Sequence, residues 1–371
     1  MIRWRWWLGV VTPTEVATTN GLTEVDGSAV DLVIHCEQVW LRNMTGDSEK
    51  GVTLAEVLAA RNVIRHHAWR TPLVPSAALG EVAGCHAYLK MECWQHTGSF
   101  KLRGALSKLS ALTPEELKRG VVTASAGNHG LGVAYAGQVL GLEAITIFVP
   151  TSAPRAKVER LEAFSCEVRR AGADYDATHA MAEAFAETRG ALYVSAYDDP
   201  VVIAAQGTVG LEVMEVMPEA DLLLVPVGGG GLIAGTAIAA KAINPAVRVV
   251  GLQPEASPSA YLSLQEGRAY ETYPAEPTIC DGLAGGFGRM PFEMAGHLID
   301  EILVVPEADV RHAVGWLASH EQVIVEGSGA IAVAPLLSGQ LDAEGQQVVS
   351  VLTGRNIDAA LLQEILAEAD S

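Results

Sequence analysis

A single lysine stands in a sequence context that suits a reactive amine. It lies in the segment Thr97–Ala105, whose apolar residues continue at helical spacing. This pattern predicts a helix that begins near Ser99, with Ser99 as its N-cap. Lys101 would then lie in the first turn, where the partial positive charge of the helix N-terminus disfavours an ammonium group. Such a lysine can form a Schiff base, although an ordinary exposed lysine would also explain the residue alone.

A glycine-flanked loop offers a second set of polar groups. The loop Ser125–Gly130 follows a predicted strand at Val121–Thr123 and precedes a predicted helix from Leu131. The free backbone N–H groups of such a loop can bind a carboxylate, and Asn128 can donate to an oxygen on a ring. An ordinary strand-to-helix turn would explain this loop equally well when it is considered alone.

Four consecutive glycines form the third candidate site. Gly228–Gly231 follow the apolar strand Leu222–Val227 and open a predicted helix. Glycine lets backbone N–H groups approach an anion closely, and the following helix adds a favourable dipole, so the loop is suited to a phosphate. A flexible turn is the plainer explanation. A dinucleotide loop is a rival, because Gly229, Gly231 and Ala234 fit the loose pattern GxGxxG/A, but it leaves the first two sites without a role.

A fourth candidate site follows a strand near the C-terminus. Thr353, in the turn 352–356, carries a neutral hydroxyl that can bond a heterocyclic nitrogen without forcing a proton onto it. Alone, this segment would be interpreted as a turn. Together, the four sites supply an amine, a donor to a ring oxygen, a phosphate cradle and a partner for a ring nitrogen. Pyridoxal phosphate, whose electronics a protein sets through such contacts, requires these groups.

The four motifs also occur in the order of a known family. Residues from about 52 to 368 resemble the fold-type II pyridoxal-phosphate enzymes, in the group of threonine/serine dehydratases (ammonia-lyases) and serine racemases. The resemblance implies an α/β fold of the tryptophan synthase β type, with two open parallel-sheet domains and the active site between them. It also implies pyridoxal 5′-phosphate as cofactor. The expected enzyme is a lyase that converts a 3-hydroxy amino acid, such as L-threonine or L-serine, to a 2-oxo acid and ammonia.

The resemblance assigns roles to residues at the matching positions. Lys101 would carry the cofactor and act as the base at Cα, with Phe100 beside the ring. Asn128 would contact the ring hydroxyl oxygen, Thr353 would contact the pyridine nitrogen, and Glu326 would approach the ring. The remaining residues bind the two anionic groups: Gly228, Gly229, Gly230 and Gly231 the phosphate, and Ser125, Ala126, Gly127 and His129 the substrate carboxylate.

Two departures from the family pattern refine the expected activity. Serine racemases have a second serine where this chain has Ala126, and a methyl group cannot accept a proton, so elimination is expected to dominate. The metal-dependent members have acidic ligands where this chain has Gln253 and Ser259, so we expect no bound metal. The alternatives are a serine racemase or β-replacement enzyme of the same fold, a dehydratase for a specialised substrate such as hydroxyaspartate, or a non-catalytic sensor.

The elements that must position these sites alternate along the chain. Several predicted strands are apolar throughout, which is typical of parallel strands buried on both faces. Strands that alternate with helices indicate an α/β fold. The predicted strands are Val121–Thr123, Ala144–Val149, Leu192–Ser195, Leu222–Val227, Val247–Leu252, Ile302–Val305 and Val348–Leu352, and the predicted helices include Pro154–Phe164, Tyr175–Thr188, Val201–Met217, Leu232–Ile243, Ala308–His320 and Ala359–Ala367.

The family resemblance divides the chain into three regions. Residues 1–45 show no sustained period, and we expect them to be a poorly ordered N-terminal extension. Residues 46–120 and 199–371 would form the large cofactor-binding domain. Residues 121–198 would form the small domain.

Composition limits the partners and the compartment. The chain has 371 residues, of which 49% are hydrophobic and 19% charged, an ordinary globular composition. Its formal net charge of −19 argues against nucleic acids and anionic membranes as partners. The five cysteines are odd in number and form no CxxC pair, which favours a reducing cytoplasm. Family analogy adds a homodimer as the expected assembly.

Overall fold

Two separate sheets organise the protein. The computed structural model describes residues 51–369, without the side chains of residues 175, 176 and 369, so the predicted extension at residues 1–45 lies outside the described residues. One sheet has six strands and the other has four, and helices alternate with the strands along the chain. The predicted α/β class with two sheet units is therefore confirmed.

The larger sheet has its strands in the order β1-β2-β10-β7-β8-β9. The pairs from β2 to β9 are parallel, and only the edge strand β1 runs antiparallel. Leu222 and Leu224 pack into one apolar cluster, whereas Leu223 and Val225 pack into another, so both faces of the sheet are buried. The strands are β1 (Leu73–Pro75), β2 (His86–Lys90), β7 (Leu222–Pro226), β8 (Arg248–Pro254), β9 (Glu301–Val305) and β10 (Gln347–Val351).

The smaller sheet is entirely parallel, in the order β5-β4-β3-β6. Its central strand β4 is buried throughout, whereas the edge strand β5 is partly exposed and carries polar side chains. The strands are β3 (Val121–Ala124), β4 (Ile145–Val149), β5 (Glu167–Arg170) and β6 (Leu192–Tyr193). All four fall within the predicted small domain, whose boundaries stay a prediction.

Fifteen α-helices connect the strands within the described residues, and none of them is long and apolar enough to cross a bilayer. Short 3-10 turns occur at Glu92–Trp94 and Gly296–Leu298, and a π-helix occurs at Leu317–Glu321. The α-helices are α1 (Leu54–Ile64), α2 (Ala77–Ala83), α3 (Lys101–Ser110), α4 (Pro114–Arg119), α5 (Asn128–Val139), α6 (Arg155–Glu162), α7 (Tyr175–Arg189), α8 (Pro200–Val216), α9 (Gly231–Ile243), α10 (Ser259–Glu266), α11 (Arg289–Ala295), α12 (Glu307–Trp316), α13 (Gly327–Ala330), α14 (Ala334–Ser338) and α15 (Ala359–Ala369).

The predicted N-cap at Ser99 is wrong. Helix α3 begins at Lys101, and its N-cap is Phe100, which makes no side-chain capping bond. Ser99 instead pairs with Gly354 in a β-bridge, and its buried hydroxyl has no hydrogen-bond partner among the described residues. The backbone of Ser99 is thus engaged with a distant segment, and its hydroxyl forms no capping bond to the helix.

A cluster of four buried charges anchors helix α3. Arg103 Nε donates to Glu92 (2.8 Å), and Arg103 Nη1 donates to Glu212 (2.7 Å). Lys90 Nζ donates to the other oxygen of Glu212 (2.5 Å). Burial favours the neutral form of Glu92, but Arg103 and Lys90 outweigh it and hold the pKa of Glu92 below its usual range. Two cations and two anions therefore balance beneath the helix that begins at Lys101.

Candidate active site

Lys101 lies at the first position of helix α3 and is half-buried. Its Nζ donates to the carbonyl oxygen of Ala196 (3.1 Å) and lies 5.3 Å from the ring centroid of Phe100. Burial lowers the pKa of Lys101 to about 8, while the nearby carboxylate of Glu326 opposes that shift. About one tenth of this amine is therefore neutral and nucleophilic at pH 7, far more than for an ordinary lysine.

The lysine segment pairs with the fourth motif, which lies far along the chain. Phe100 N donates to Thr353 O (3.2 Å), and Arg355 N donates to Gly98 O (2.9 Å), on either side of the Ser99–Gly354 bridge. Gly98 has a φ of 78°, which a residue with a side chain rarely adopts. The structure thus brings the first and fourth predicted sites together.

The second predicted loop adjoins the same lysine through helix α5. A Cβ on Gly132 would lie 3.1 Å from the carbonyl carbon of Lys101, so the two backbones approach closely. The N–H groups of Ala126, Asn128 and His129 donate to no acceptor among the described residues. These free donors, at the start of a 12-residue helix, can hold a carboxylate.

The polar side chains of this loop have different surroundings. Ser125 Oγ accepts from Gly127 N (3.1 Å), which closes the turn. His129 is buried, and its Nε2 contacts Val194 O (3.1 Å). Burial, with the nearby charge of Lys101, lowers the pKa of His129 to about 3. His129 is therefore a neutral, fixed residue at physiological pH, and its backbone N–H is the group that it can offer to a ligand.

The glycine loop has free backbone N–H groups, and aromatic rings pack against the Cα atoms of two of its glycines. The N–H groups of Gly228, Gly229 and Gly230 donate to no acceptor in the part of the chain that the structure describes. A Cβ on Gly229 would lie 2.3 Å from the ring of Tyr197, and one on Gly230 would lie 2.2 Å from the ring of Phe287. Side chains are thus excluded at these positions, while the free N–H groups suit an anion such as a phosphate.

Residues 196 and 197 connect the lysine to the glycine loop. Ala196 O accepts the hydrogen bond from Lys101, and the ring of the next residue, Tyr197, packs against Gly229. Tyr197 was not among the residues predicted from the sequence. Its only signal was its position between a predicted strand and a predicted helix, where functional loops occur in parallel sheets.

Glu326 is buried at the same place. Its Oε1 accepts from Asn128 Nδ2 (2.5 Å), and its Oε2 accepts from Asn356 N (2.9 Å). Gly354 makes room for it, since a Cβ there would lie 2.3 Å from Glu326 Oε1. Burial, with the charge of Asp281, raises the pKa of Glu326 to about 7 although the Asn128 bond opposes this shift.

Thr353 is also buried, and its Oγ1 donates to Ser328 O (3.1 Å). A threonine hydroxyl has a single proton to donate. If a ring nitrogen without a proton lies here, the Thr353 hydroxyl can donate its proton either to that nitrogen or to Ser328 O, but not to both. The hydroxyl of Thr353 stays neutral in both cases.

The two positions considered for metal ligands are engaged with the protein itself. Gln253 is fully buried, and its Oε1 accepts from Ala260 N (2.8 Å) and Tyr261 N (3.1 Å). Its Nε2 donates to Val227 O (3.3 Å) and to Ser259 Oγ (3.4 Å). Among residues 51–369, no group of three or more histidine, cysteine or acidic side chains could hold a metal ion.

Comparisons with known proteins agree on one family. Residues 64–354 match the family model described as "Pyridoxal-phosphate dependent enzyme". The chain is 42% identical to an L-threonine ammonia-lyase of Thermotoga maritima over 316 residues, which is 85% of this chain and 78% of the relative. The fold is similar to threonine deaminase isoform 2 of Solanum lycopersicum (TM-score 0.80, 33% identity, 88% of this chain and 95% of that one). It is similar to maize serine racemase as well (TM-score 0.80, 32% identity, 86% and 98%).

Proposed function

The chain belongs to the family of pyridoxal-phosphate-dependent enzymes, as its four motifs predict, and we propose that it acts as a threonine/serine ammonia-lyase. It converts a 3-hydroxy amino acid, such as L-threonine or L-serine, to a 2-oxo acid and ammonia. One observation carries this proposal: the amine of Lys101, with a pKa lowered to about 8, adjoins two sets of free backbone N–H groups. Relatives named L-threonine ammonia-lyase and threonine deaminase support the choice of reaction.

The described groups fit pyridoxal 5′-phosphate. When bound, this group withdraws electrons from the substrate Cα and so stabilises negative charge there. The free N–H groups of Gly228–Gly231 would hold its phosphate, and Asn128 would donate to its ring oxygen. Phe100 would lie beside the ring, and Lys101 would carry the covalent attachment. The neutral Thr353 would face the ring nitrogen, and because it cannot supply a full proton, it limits electron withdrawal and favours elimination.

Lys101 would hold and move the proton at Cα. A neutral amine can accept a proton, and burial raises the neutral fraction of this amine well above that of an ordinary lysine. The substrate carboxylate would bind the N–H groups at Ala126–His129, in front of the same lysine. This arrangement holds the Cα–H bond towards one base.

No base stands at Ala126 to serve the opposite face of Cα. A racemase needs a second group that returns the proton from the other side, and a methyl group cannot do so. The likeness to maize serine racemase keeps racemisation as the alternative activity of the same fold. Ala126 therefore favours the ammonia-lyase over the racemase.

We further propose that the enzyme acts as a cytoplasmic homodimer without a bound metal. Cys85, Cys93, Cys166 and Cys280 are free thiols, which suits a reducing compartment. The side chains of Gln253 and Ser259 are neutral and already hydrogen-bonded within the protein, so they provide no negative charge to bind a cation. Light scattering during size-exclusion chromatography would measure the assembly.

Release of 2-oxo acid from a panel of 3-hydroxy amino acids should test the function. The cofactor-loaded protein is incubated with L-threonine, L-serine and hydroxyaspartate, with chelator and without it. We expect 2-oxo acid from threonine or serine at equal rates in both conditions, and no D-serine on chiral analysis of residual serine. Accumulation of D-serine would favour the racemase, and loss of activity with chelator would contradict the absence of a metal.

Capture of pyridoxal phosphate by the apoprotein should accelerate as the pH rises towards about 8 and then level off. The attacking form is the neutral amine, whose fraction grows roughly tenfold per pH unit below the pKa and saturates above it. Stopped-flow absorbance of the bound cofactor would measure the rate. A rate that continues to climb towards pH 10, as for an ordinary lysine, would contradict the lowered pKa.

A further inference from the structure

Asn356 links four separate segments of the chain at the edge of the site. Its backbone N–H donates to Glu326 Oε2 (2.9 Å). Its side-chain Nδ2 donates to Thr97 O (3.0 Å) and to Asn128 Oδ1. Its Oδ1 accepts from Arg160 Nη2 (2.7 Å). The amide must stand this way round, because the carbonyl oxygen of Thr97 on its Nδ2 side can only accept and the guanidinium of Arg160 on its Oδ1 side can only donate.

The orientation of Asn356 determines that of Asn128. Because Asn128 Oδ1 accepts from Asn356, the Nδ2 of Asn128 points the other way, where it donates to Glu326 Oε1 (2.5 Å). An amide nitrogen carries two hydrogens, so one N–H of Asn128 is left for a ligand. The chain of bonds runs in one direction, from Asn356 through Asn128 to Glu326.

The reversed orientation would be costly while Glu326 is ionised. A flipped Asn128 would place its carbonyl oxygen against the carboxylate of Glu326, and its NH2 group against the NH2 group of Asn356. Buried acceptors that face each other, or donors that face each other, lose their hydrogen bonds and stay unsatisfied, which destabilises the flipped form. The proximity of Glu326 to Lys101, which opposes the lowering of the pKa of Lys101, places this network beside the reactive amine.

We propose that Asn356 is a positioning residue: it fixes the Asn128 amide so that Asn128 offers an N–H donor, and not a carbonyl oxygen, to the ring oxygen of the cofactor. This inference rests on the proposed function, because it takes Asn128 as the partner of the ring. Asn356 itself acts only through Asn128.

The substitution Asn356→Asp tests the proposal with almost no change in shape. Its carboxylate can accept but not donate, so it repels the carbonyl oxygen of Asn128. Asn128 then turns its NH2 group towards residue 356 and its carbonyl oxygen towards the ring and a protonated Glu326, whose pKa is already raised to about 7. We expect kcat for threonine to fall about 10²-fold, the typical cost of one misplaced donor, with little change in KM because the backbone N–H groups that bind the carboxylate do not move. The absorption band of bound pyridoxal phosphate should shift, since the ring oxygen has lost its donor.

A double variant separates positioning from folding. In Asn356→Asp with Glu326→Gln, the new amide can donate to the flipped Asn128 and still accept from the backbone N–H of residue 356. The whole chain of bonds then runs in reverse. We expect the melting temperature to recover relative to Asn356→Asp, while kcat stays low and the shifted band persists. Recovery of kcat together with stability would show that Asn356 is only structural and would overturn the proposal.

Asn244→Asp is the matched control. Asn244 is also half-buried and bonded to backbone at both ends, to Pro218 O (3.0 Å) and from Ala246 N (3.0 Å). It follows the far end of helix α9, roughly 20 Å along the helix axis from Gly231. We expect wild-type kcat and spectrum from this variant. An unshifted band and wild-type kcat in Asn356→Asp would overturn the proposal. A wild-type protein that binds the cofactor but releases no 2-oxo acid would defeat the proposed function alone, since the band shift still tests Asn356.

Discussion

Replacement of Lys101 by alanine should eliminate turnover and the covalent attachment of pyridoxal phosphate. General base catalysis alone contributes about 10²–10⁴-fold, and the loss of the attachment adds to it, so we expect no measurable 2-oxo acid above background. The free N–H groups of the glycine loop remain in the variant, so it should still bind the cofactor, but reversibly. Dialysis followed by absorbance would detect that change.

Lys108 provides the control for this experiment. It lies in the same helix, and its Nζ pairs with Asp199 (2.5 Å). Lys108→Ala removes the same side chain two turns further along the helix and should keep the cofactor band and most of the activity. If Lys101→Ala remained active, or if both variants lost activity equally, the assignment of Lys101 would be wrong.

Replacement of Arg103 by methionine should strongly decrease the free energy of unfolding, far more than the same replacement at a surface arginine. Arg103 is fully buried and donates to both Glu92 and Glu212, so the variant leaves two buried carboxylates with Lys90 as their only cation. Breaking a buried ion pair in this way costs about 3–5 kcal/mol. Urea unfolding of the apoprotein would measure the decrease in the free energy of unfolding.

Arg311→Met is the matched comparison. Arg311 makes ion pairs with Glu364 and Glu368 at the surface, where such pairs contribute less than about 1 kcal/mol. The same substitution should therefore have a small effect on the urea midpoint. Equal losses in the two variants would mean that the cluster under helix α3 has no special role.

The sequence predicted the strands that are buried on both faces, and it missed three partly exposed strands, β1, β2 and β5. Strand β7 is apolar throughout, and its pattern was sufficient. Strand β5 has charged residues at both ends and one partner, β4, and its existence depends on that pairing rather than on its own composition. The three-residue strand β1 lies at an edge and ends in proline, which gives no local signal.

The sequence predicted the motifs of the site as separate segments, but it did not predict the hydrogen bonds between them. Nothing in the sequence near Ser99 reveals that it pairs with Gly354 or that its hydroxyl caps no helix. The bonds of Asn356 to Asn128 and Glu326 arise in the same way, from the register of distant segments. A sign of the buried cluster was present in Arg103, since a charge among apolar helix positions must find a partner.

The position of strand β10 in the sheet determines when the larger sheet can form during synthesis. This strand comes last in the chain, yet it lies between β2 and β7 in the middle of the larger sheet, and the turn after it holds Thr353 and Asn356. A nascent polypeptide on the ribosome therefore lacks the strand that joins the two halves of the sheet until residues 347–351 have been made. Non-local pairing of this kind slows folding and leaves apolar edges exposed in the meantime. Premature termination before residue 347 should yield a chaperone client or a degraded product rather than a weakly active enzyme.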